Sequence, residues 1–269
     1  VNVNGAFVLS GEVGTFKVSN INFTDAQAMG CFITLANAGV TATEVVVENA
    51  VLEGYSKSVI YGSNENANAN IDKIVVDGVQ TKTWGTGQGI FDFRNGTYGS
   101  IVIKNSTITG GRDFIRHDAS CVTGEIIIMH NTFDHVNNGV NGNGMFYVRS
   151  TPADYKVVGN LFLNQTAELN NALSKTGGVQ VPYMAGNFFY NCIDSFFGGL
   201  INKDVATGNN GVILTTDPVK DAANGDYTLV NAVAMNSNIG DPRWNPMRGS
   251  NPTSEIAVET VTDLLTAIS

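Results

Sequence analysis

Seven stretches of the chain repeat one pattern of apolar and polar positions. An apolar, largely β-branched run is followed by one polar residue, then Asn or Gly, then further apolar residues. The stretches are Phe16–Phe23, Val45–Leu52, Ile74–Thr81, Ile101–Ile108, Ile127–Asp134, Lys156–Leu163 and Tyr183–Tyr190. Their Asn-or-Gly position falls at Asn20, Asn49, Gly78, Asn105, Asn131, Asn160 and Asn187, in steps of 29, 29, 27, 26, 29 and 27 residues. A fixed period of this size is the signature of a solenoid. Leucine-rich repeats share the period but need Leu at most framework positions, and here the framework is Val, Ile and Phe. Short runs bounded by Gly and Asn point to strands, and no helical periodicity interrupts them before Tyr190. The pattern therefore predicts an all-β parallel β-helix of about seven coils, stacked at the usual strand spacing of about 4.8 Å. Asn suits the repeated corner because it tolerates left-handed backbone, and stacked Asn side chains can hydrogen-bond along the column.

After each Asn corner a second strand recurs: Gly89–Arg94, Arg112–His117, Gly144–Arg149 and, more weakly, Ala172–Lys175. Aligning their apolar residues places Arg94, Arg116, Arg149 and Lys175 in one outward column on four coils. Stacked cations repel unless counter-charge is supplied. Either nearby Asp92, Asp113, Asp118 and Asp134 interleave with them as a structural ladder, or an anionic polymer lies along the column, Arg being suited to carboxylates. Tyr147, Tyr155 and Trp84 lie in or beside the flanking loops, and the Gly-rich surroundings of Trp84 favour its exposure for stacking on sugar rings. His130, before a corner, reads as a solvated edge residue. His130 and His135 share no direction that would make a metal site.

Composition narrows the classes. The 269 residues are 43% hydrophobic and 14% charged, with 30 Gly and 32 Asn, too apolar for disorder. A net charge of −9 argues against nucleic acid as a partner. No run approaches the length of a membrane span. The three cysteines, Cys31, Cys121 and Cys192, read as free buried thiols, with one disulfide as the alternative. The chain divides into coils (1–200), a Gly/Asn/Asp-rich end or cap (201–250) and a terminal segment (251–269). In the last, Ser254–Ile268 has the caps and apolar stripe of a helix, read as a solenoid cap or a junction to a further segment. A chain that opens at Val1 reads as a mature or trimmed piece of something larger.

Coils of this length with an Asn column resemble the pectate-lyase-type right-handed parallel β-helix. The pattern Asp217-Pro218 … Asn224-Gly225-Asp226-Tyr227-Thr228-Leu229 … Gly240-Asp241-Pro242-Arg243-Trp244 resembles the end of an uncharacterised β-helix domain family of secreted and surface proteins from gut Bacteroides-type bacteria. That resemblance implies a secreted or surface-anchored protein and supplies no catalytic residues. Gly111–Asn131 is similar, over a few residues, to the Arg-His-containing strand of chondroitinase- and alginate-lyase-type β-helices.

Three functions follow as expectations. The first is a non-catalytic module that binds an acidic extracellular polysaccharide through Arg94, Asp92, Arg116, Tyr147, Arg149, Lys175 and Trp84. It needs no metal or cofactor and is expected to be a monomer, within a larger multidomain chain or alone. The second is a polysaccharide lyase in which Arg116 or Arg149 neutralises a uronate and His117, Tyr147 or Lys104 takes the α-proton, with calcium as a possible cofactor. The acid cluster that binds calcium in such lyases is not apparent, and no paired carboxylates suggest hydrolysis. The third is a structural shaft or adhesin.

Overall fold

Residues 2–25, 30–65, 67–136, 144–167, 172–174 and 179–248 are described in the computed structural model of the chain. The expected terminal helix and Lys175 lie outside them. The described chain is a right-handed parallel β-helix of about seven coils, and three strand positions recur in it. Lead-in strands approach the Asn corner: Thr15–Ser19, the end of Ile33–Glu48, Ala69–Asp77, Gly96–Lys104, Cys121–Met129, Asp154–Val158 and Tyr183–Ala185. Post-corner strands leave it: Asn22–Thr24, Val51–Glu53, Gln80–Lys82, Thr107–Thr109, Thr132–Asp134, Leu161–Leu163, Phe188–Tyr190 and Val212–Leu214. The third position holds the start of Ile33–Glu48, then Ile60–Gly62, Phe91–Phe93, Ile115–His117 and Phe146–Val148.

Burial explains why the apolar pattern gives this stack. In Gly96–Lys104 the chain alternates, with Tyr98, Ile101 and Ile103 buried and Val102 and Lys104 facing out. Residues of the same type then meet coil over coil, Val45 on Ile74, Ile74 on Ile101 and Ile101 on Ile126. Phenylalanines do the same inside the post-corner sheet: Phe133, Phe162 and Phe189 stack with centroids 5.1 and 4.8 Å apart. Offset stacking of this kind adds to area burial.

The Asn column predicted from the repeat is two columns. Left-handed backbone falls at Asn20, Asn49, Gly78 and Asn105, as expected, but then at His130, Gly159 and Gly186. Strand register agrees, since Lys104 pairs with Met129 and Met129 with Val158, which puts Asn105 level with His130. Asn131, Asn160 and Asn187 sit one residue later and point inward, fully buried. There Asn131 Nδ2 donates to Asn160 Oδ1 at 3.1 Å and Asn160 Nδ2 to Asn187 Oδ1 at 3.0 Å. Each also donates to a lead-in carbonyl, of Ile103, Ile128 and Val157 respectively. The same residue type thus solves two problems, backbone strain at the corner early in the stack and buried hydrogen bonding late in it.

Two pieces close the solenoid. Phe196, Phe197, Ile201 and Ala206 join the main core and cover its end, with the short helix Lys203–Thr207 capped by Asn202. Residues 212–248 turn back over the outer face of the post-corner sheet and form a second core with it, built on Leu161, Leu163, Phe188, Tyr227, Leu229 and Ile239. The antiparallel pair Val219–Asp221 and Asp226–Leu229 belongs to this cover. The three cysteines are free thiols. Among the described residues no helix is long and apolar enough to cross a membrane.

Candidate functional site

The basic residues gather where the third strands turn into the lead-in strands. Register pairs Tyr61 with Asp92, Asp92 with Arg116 and Arg116 with Tyr147. The next row continues it, with the Asp118 amide on the Phe93 carbonyl (2.9 Å) and the Arg149 amide on the His117 carbonyl (2.8 Å). Arg94, Asp118 and Arg149 therefore share a row, and Arg116 lies in the row beside it. The single cation column expected from the sequence is corrected here to a checkerboard. The cause is His117: the true register puts it at an inward position, level with Phe93 and Val148. An alignment of apolar residues avoids burying a histidine and so slips by two.

The carboxylates interleave. Arg94 grips Asp92 through Nε at 2.9 Å and Nη2 at 3.0 Å. Arg116 grips Asp118 in the same way at 3.0 and 2.7 Å, and its Nε lies 4.0 Å from Asp92. Arg149 Nη2 reaches Asp118 at 2.8 Å. Burial works against ionisation of Asp118, but the hydrogen bonds from Arg116 and Arg149 outweigh it and hold its carboxyl below the usual range. The guanidinium of Arg94 lies over the Tyr61 ring at 5.3 Å and that of Arg149 over Tyr147 at 5.1 Å, within cation–π range. Side-chain exposure rises from 18% at Arg94 and 20% at Arg116 to 34% at Arg149. Asp92 is fully buried, so it acts on any ligand only through the arginines.

Other expected members of the site are elsewhere. His117 lies inside the solenoid, its Nδ1 on Ser150 Oγ at 2.7 Å and its Nε2 on Thr123 Oγ1 at 2.9 Å. Its ring packs on Phe93 and Tyr98. Burial, partly opposed by Asp118, lowers its pKa to about 4. Placed there, it reaches no polysaccharide on the outside. Trp84 is buried, stacked on Tyr55 at 5.3 Å with its Nε1 on the Lys57 carbonyl at 2.9 Å. The glycines that suggested exposure serve close approach instead: a Cβ on Gly85 or Gly87 would come within 2.8 Å of the Ser56 backbone. Tyr155 is likewise buried. Lys104 lies on a lead-in strand, paired with Asp77 at 3.3 Å. His130, expected to be a solvated edge, has a ring Nδ1 shielded from water and without a partner, and burial followed by the charge of Arg248 lowers its pKa to about 4. Of the expected interleaving acids, Asp113 pairs with Arg112, and Asp134 accepts from Tyr227 on the cover at 2.9 Å. Tyr61 escaped the sequence reading because its strand, Ile60–Gly62, lacks the terminal Arg that marked the others. The motif Val-Ile-Tyr-Gly in the second-strand position was the available signal.

The terminal Gly-Asp-Pro-Arg-Trp pattern forms a strap along the post-corner sheet. Asp241, 1% exposed, accepts from Thr107 Oγ1 at 2.7 Å and is gripped by Arg243. Its amide donates to Thr132 Oγ1 at 3.0 Å, and Gly240 donates to the Gly159 carbonyl at 2.8 Å. Arg243 Nη1 and Nη2 donate to the carbonyls of Gly78 (2.9 Å) and Val79 (3.3 Å), and Trp244 Nε1 to Thr107 Oγ1 (2.7 Å). Five residues thereby tie four successive coils together. Among the described residues no group of three or more His, Cys, Asp or Glu side chains converges as metal ligands would.

Residues 126–244 match the model of a family described as "Domain of unknown function (DUF5123)". The matched segment starts in the Cys121–Met129 strand and ends on Trp244, so it takes in the late coils, the buried Asn column, the cover and the strap. A search of curated proteins and a search of solved structures each gave no match.

Proposed function

We propose that the chain is a non-catalytic module of a secreted or surface protein that binds an acidic polysaccharide at the arginine corner. One observation carries this reading. Tyr61 and Tyr147 occupy the same outward row, three strand steps apart, each beneath a guanidinium, with Arg116 between them. Three steps span about 14 Å, the scale of a few sugar rings. Half-buried outward rings beside fixed cations offer apolar contact with a sugar and carboxylate recognition together. The corner is held by bidentate pairs, so little ordering is left to the moment of binding.

Elimination is the less favoured reading, because His117 is inside and Lys104 is on a different face, leaving Tyr147 alone as a base. The purified chain titrated with polygalacturonate, alginate and hyaluronan tests both. Binding that weakens with salt and in Tyr147→Ala and Arg116→Ala, with no rise in absorbance near 235 nm, supports the module. A rise near 235 nm makes it a lyase. No binding to any of the three leaves a structural shaft, for which a charge network paired mostly within itself is a natural surface.

A further inference from the structure

We infer that the corner takes one carboxylate, at the outer edge of the Arg149 guanidinium, and so selects a polysaccharide that carries its acidic groups on alternate sugars rather than on every sugar. The inference rests on the binding reading above and names its substrate class.

The charges at the corner do not cancel. Arg94, Arg116 and Arg149 face Asp92 and Asp118, leaving one cation in excess among the described residues. The geometry says which one. Arg94 has both oxygens of Asp92, and Arg116 has both oxygens of Asp118 in a parallel two-bond grip. Among the described residues Arg149 has a single carboxylate contact, to an oxygen that Arg116 already uses. Its Nε is shielded from water and has no partner, so this guanidinium is the least satisfied of the three while its side chain is the most exposed. A cation that has lost water at one nitrogen without gaining an acceptor favours an anion at its open edge. A planar carboxylate matches that edge, and the half-buried Tyr147 ring, which the guanidinium covers on one face, lies beside it where the adjoining sugar would pack.

The neighbouring coils discriminate. One strand step of about 4.8 Å from Arg149 lies Asp118, and a further step leads to the Arg94 pair. A polymer with a carboxylate on every sugar brings its next acid over the Arg116–Asp118 and Arg94–Asp92 pairs, whose charges already cancel, so that acid loses water without a free cation to meet it. A polymer whose next sugar is neutral avoids that cost.

The test is calorimetric titration of the whole chain with hyaluronan oligosaccharides, in which uronate alternates with a neutral amino sugar, and with polygalacturonate, in which every sugar is acidic, over a series of salt concentrations. The expected result is tighter binding of hyaluronan, with a salt dependence of one ion pair. Arg149→Ala should weaken it about tenfold or more and flatten the salt dependence. Arg149→Lys, which keeps the charge, should retain the salt dependence, and Lys73→Ala, on another face, should bind as the parent does. Preference for polygalacturonate, or binding indifferent to Arg149→Ala in a variant of unchanged Tm, overturns the inference and leaves the binding reading standing. Absence of binding to both probes overturns that reading and this inference with it.

Discussion

The strap and the corner use the same unit, an Asp and an Arg two residues apart gripping each other through two or more side-chain hydrogen bonds, for opposite ends. Asp241–Arg243 is one instance, Asp92–Arg94 and Arg116–Asp118 the others. In the strap everything left over is spent on the protein itself: the guanidinium on two main-chain carbonyls, the carboxylate on a threonine hydroxyl. At the corner the remaining donors meet a neighbour's carboxylate, an aromatic face or solvent. The pair alone therefore carries no functional meaning. What surrounds it decides whether its charge is structural or available, and a buried, fully satisfied pair contributes by being costly to break rather than by being strong.

The sharpest way to break the comparison is to remove the carboxylate from each. Asp241→Ala removes a fully buried carboxylate, leaves Thr107 without its acceptor and leaves the Arg243 guanidinium, 32% exposed, with main-chain carbonyls alone, so a loss of roughly 3 kcal/mol is expected. Denaturant unfolding reads it, with the midpoint falling at unchanged slope. A loss below about 1 kcal/mol, the level of a surface ion pair, would erase the distinction drawn here.

Acid acts next, and on the corner from within. His117 is neutral between its two hydroxyls with a folded pKa of about 4, against 6.5 for an ordinary histidine. The unfolded chain therefore takes up a proton first as pH falls. Stability is flat above pH 6.5 and declines from there to about 4, by on the order of 3 kcal/mol for this ring. His130, also lowered to about 4, adds in the same direction. Thermal melts from pH 7.5 to 4.5 should show the decline, and His117→Gln should show less of it. An equal decline in that variant would assign the effect to His130 and the cover.

These residues also show how far the sequence could be read. The period, the apolar framework and the β-branched content were enough for the fold, because a stack of identical coils repeats its physics and its sequence together. The arginines and aspartates that meet at the corner were legible as neighbours but in the wrong register, since a single inward histidine, satisfied by Ser150 and Thr123 from other parts of the chain, looks like an outward one until the coils are stacked. Trp84 failed for a related reason: glycine marks a loop and a close contact alike. The cover over the outer face had a signal that was not used. The strands Leu161–Leu163 and Phe188–Tyr190 are apolar at every position, unlike Asn22–Thr24 or Gln80–Lys82, and a strand apolar on both faces must be covered on both.

At the corner itself, Asp118→Asn is expected to lower stability by only about 1–2 kcal/mol, because Arg116 and Arg149 turn their freed donors to water. Its effect on binding is the more telling. Removing that negative charge frees a second cation for a second acid to meet, so polygalacturonate should gain affinity and salt dependence relative to hyaluronan.

The smallest effect sets the floor for all of these. Lys73 and Glu44 form an ion pair at 3.4 Å on the lead-in face, 52% and 32% exposed. Their attraction acts through water and is offset by the freedom two long side chains give up, so Lys73→Ala should change stability by no more than about 0.5 kcal/mol. It should leave binding to any polysaccharide unchanged, as among the described residues that face carries neither an aromatic row nor an unsatisfied guanidinium. If this exchange moved binding as much as Arg149→Ala does, the interaction would be a response to the chain's overall charge, and exposure would have no bearing on which arginine matters.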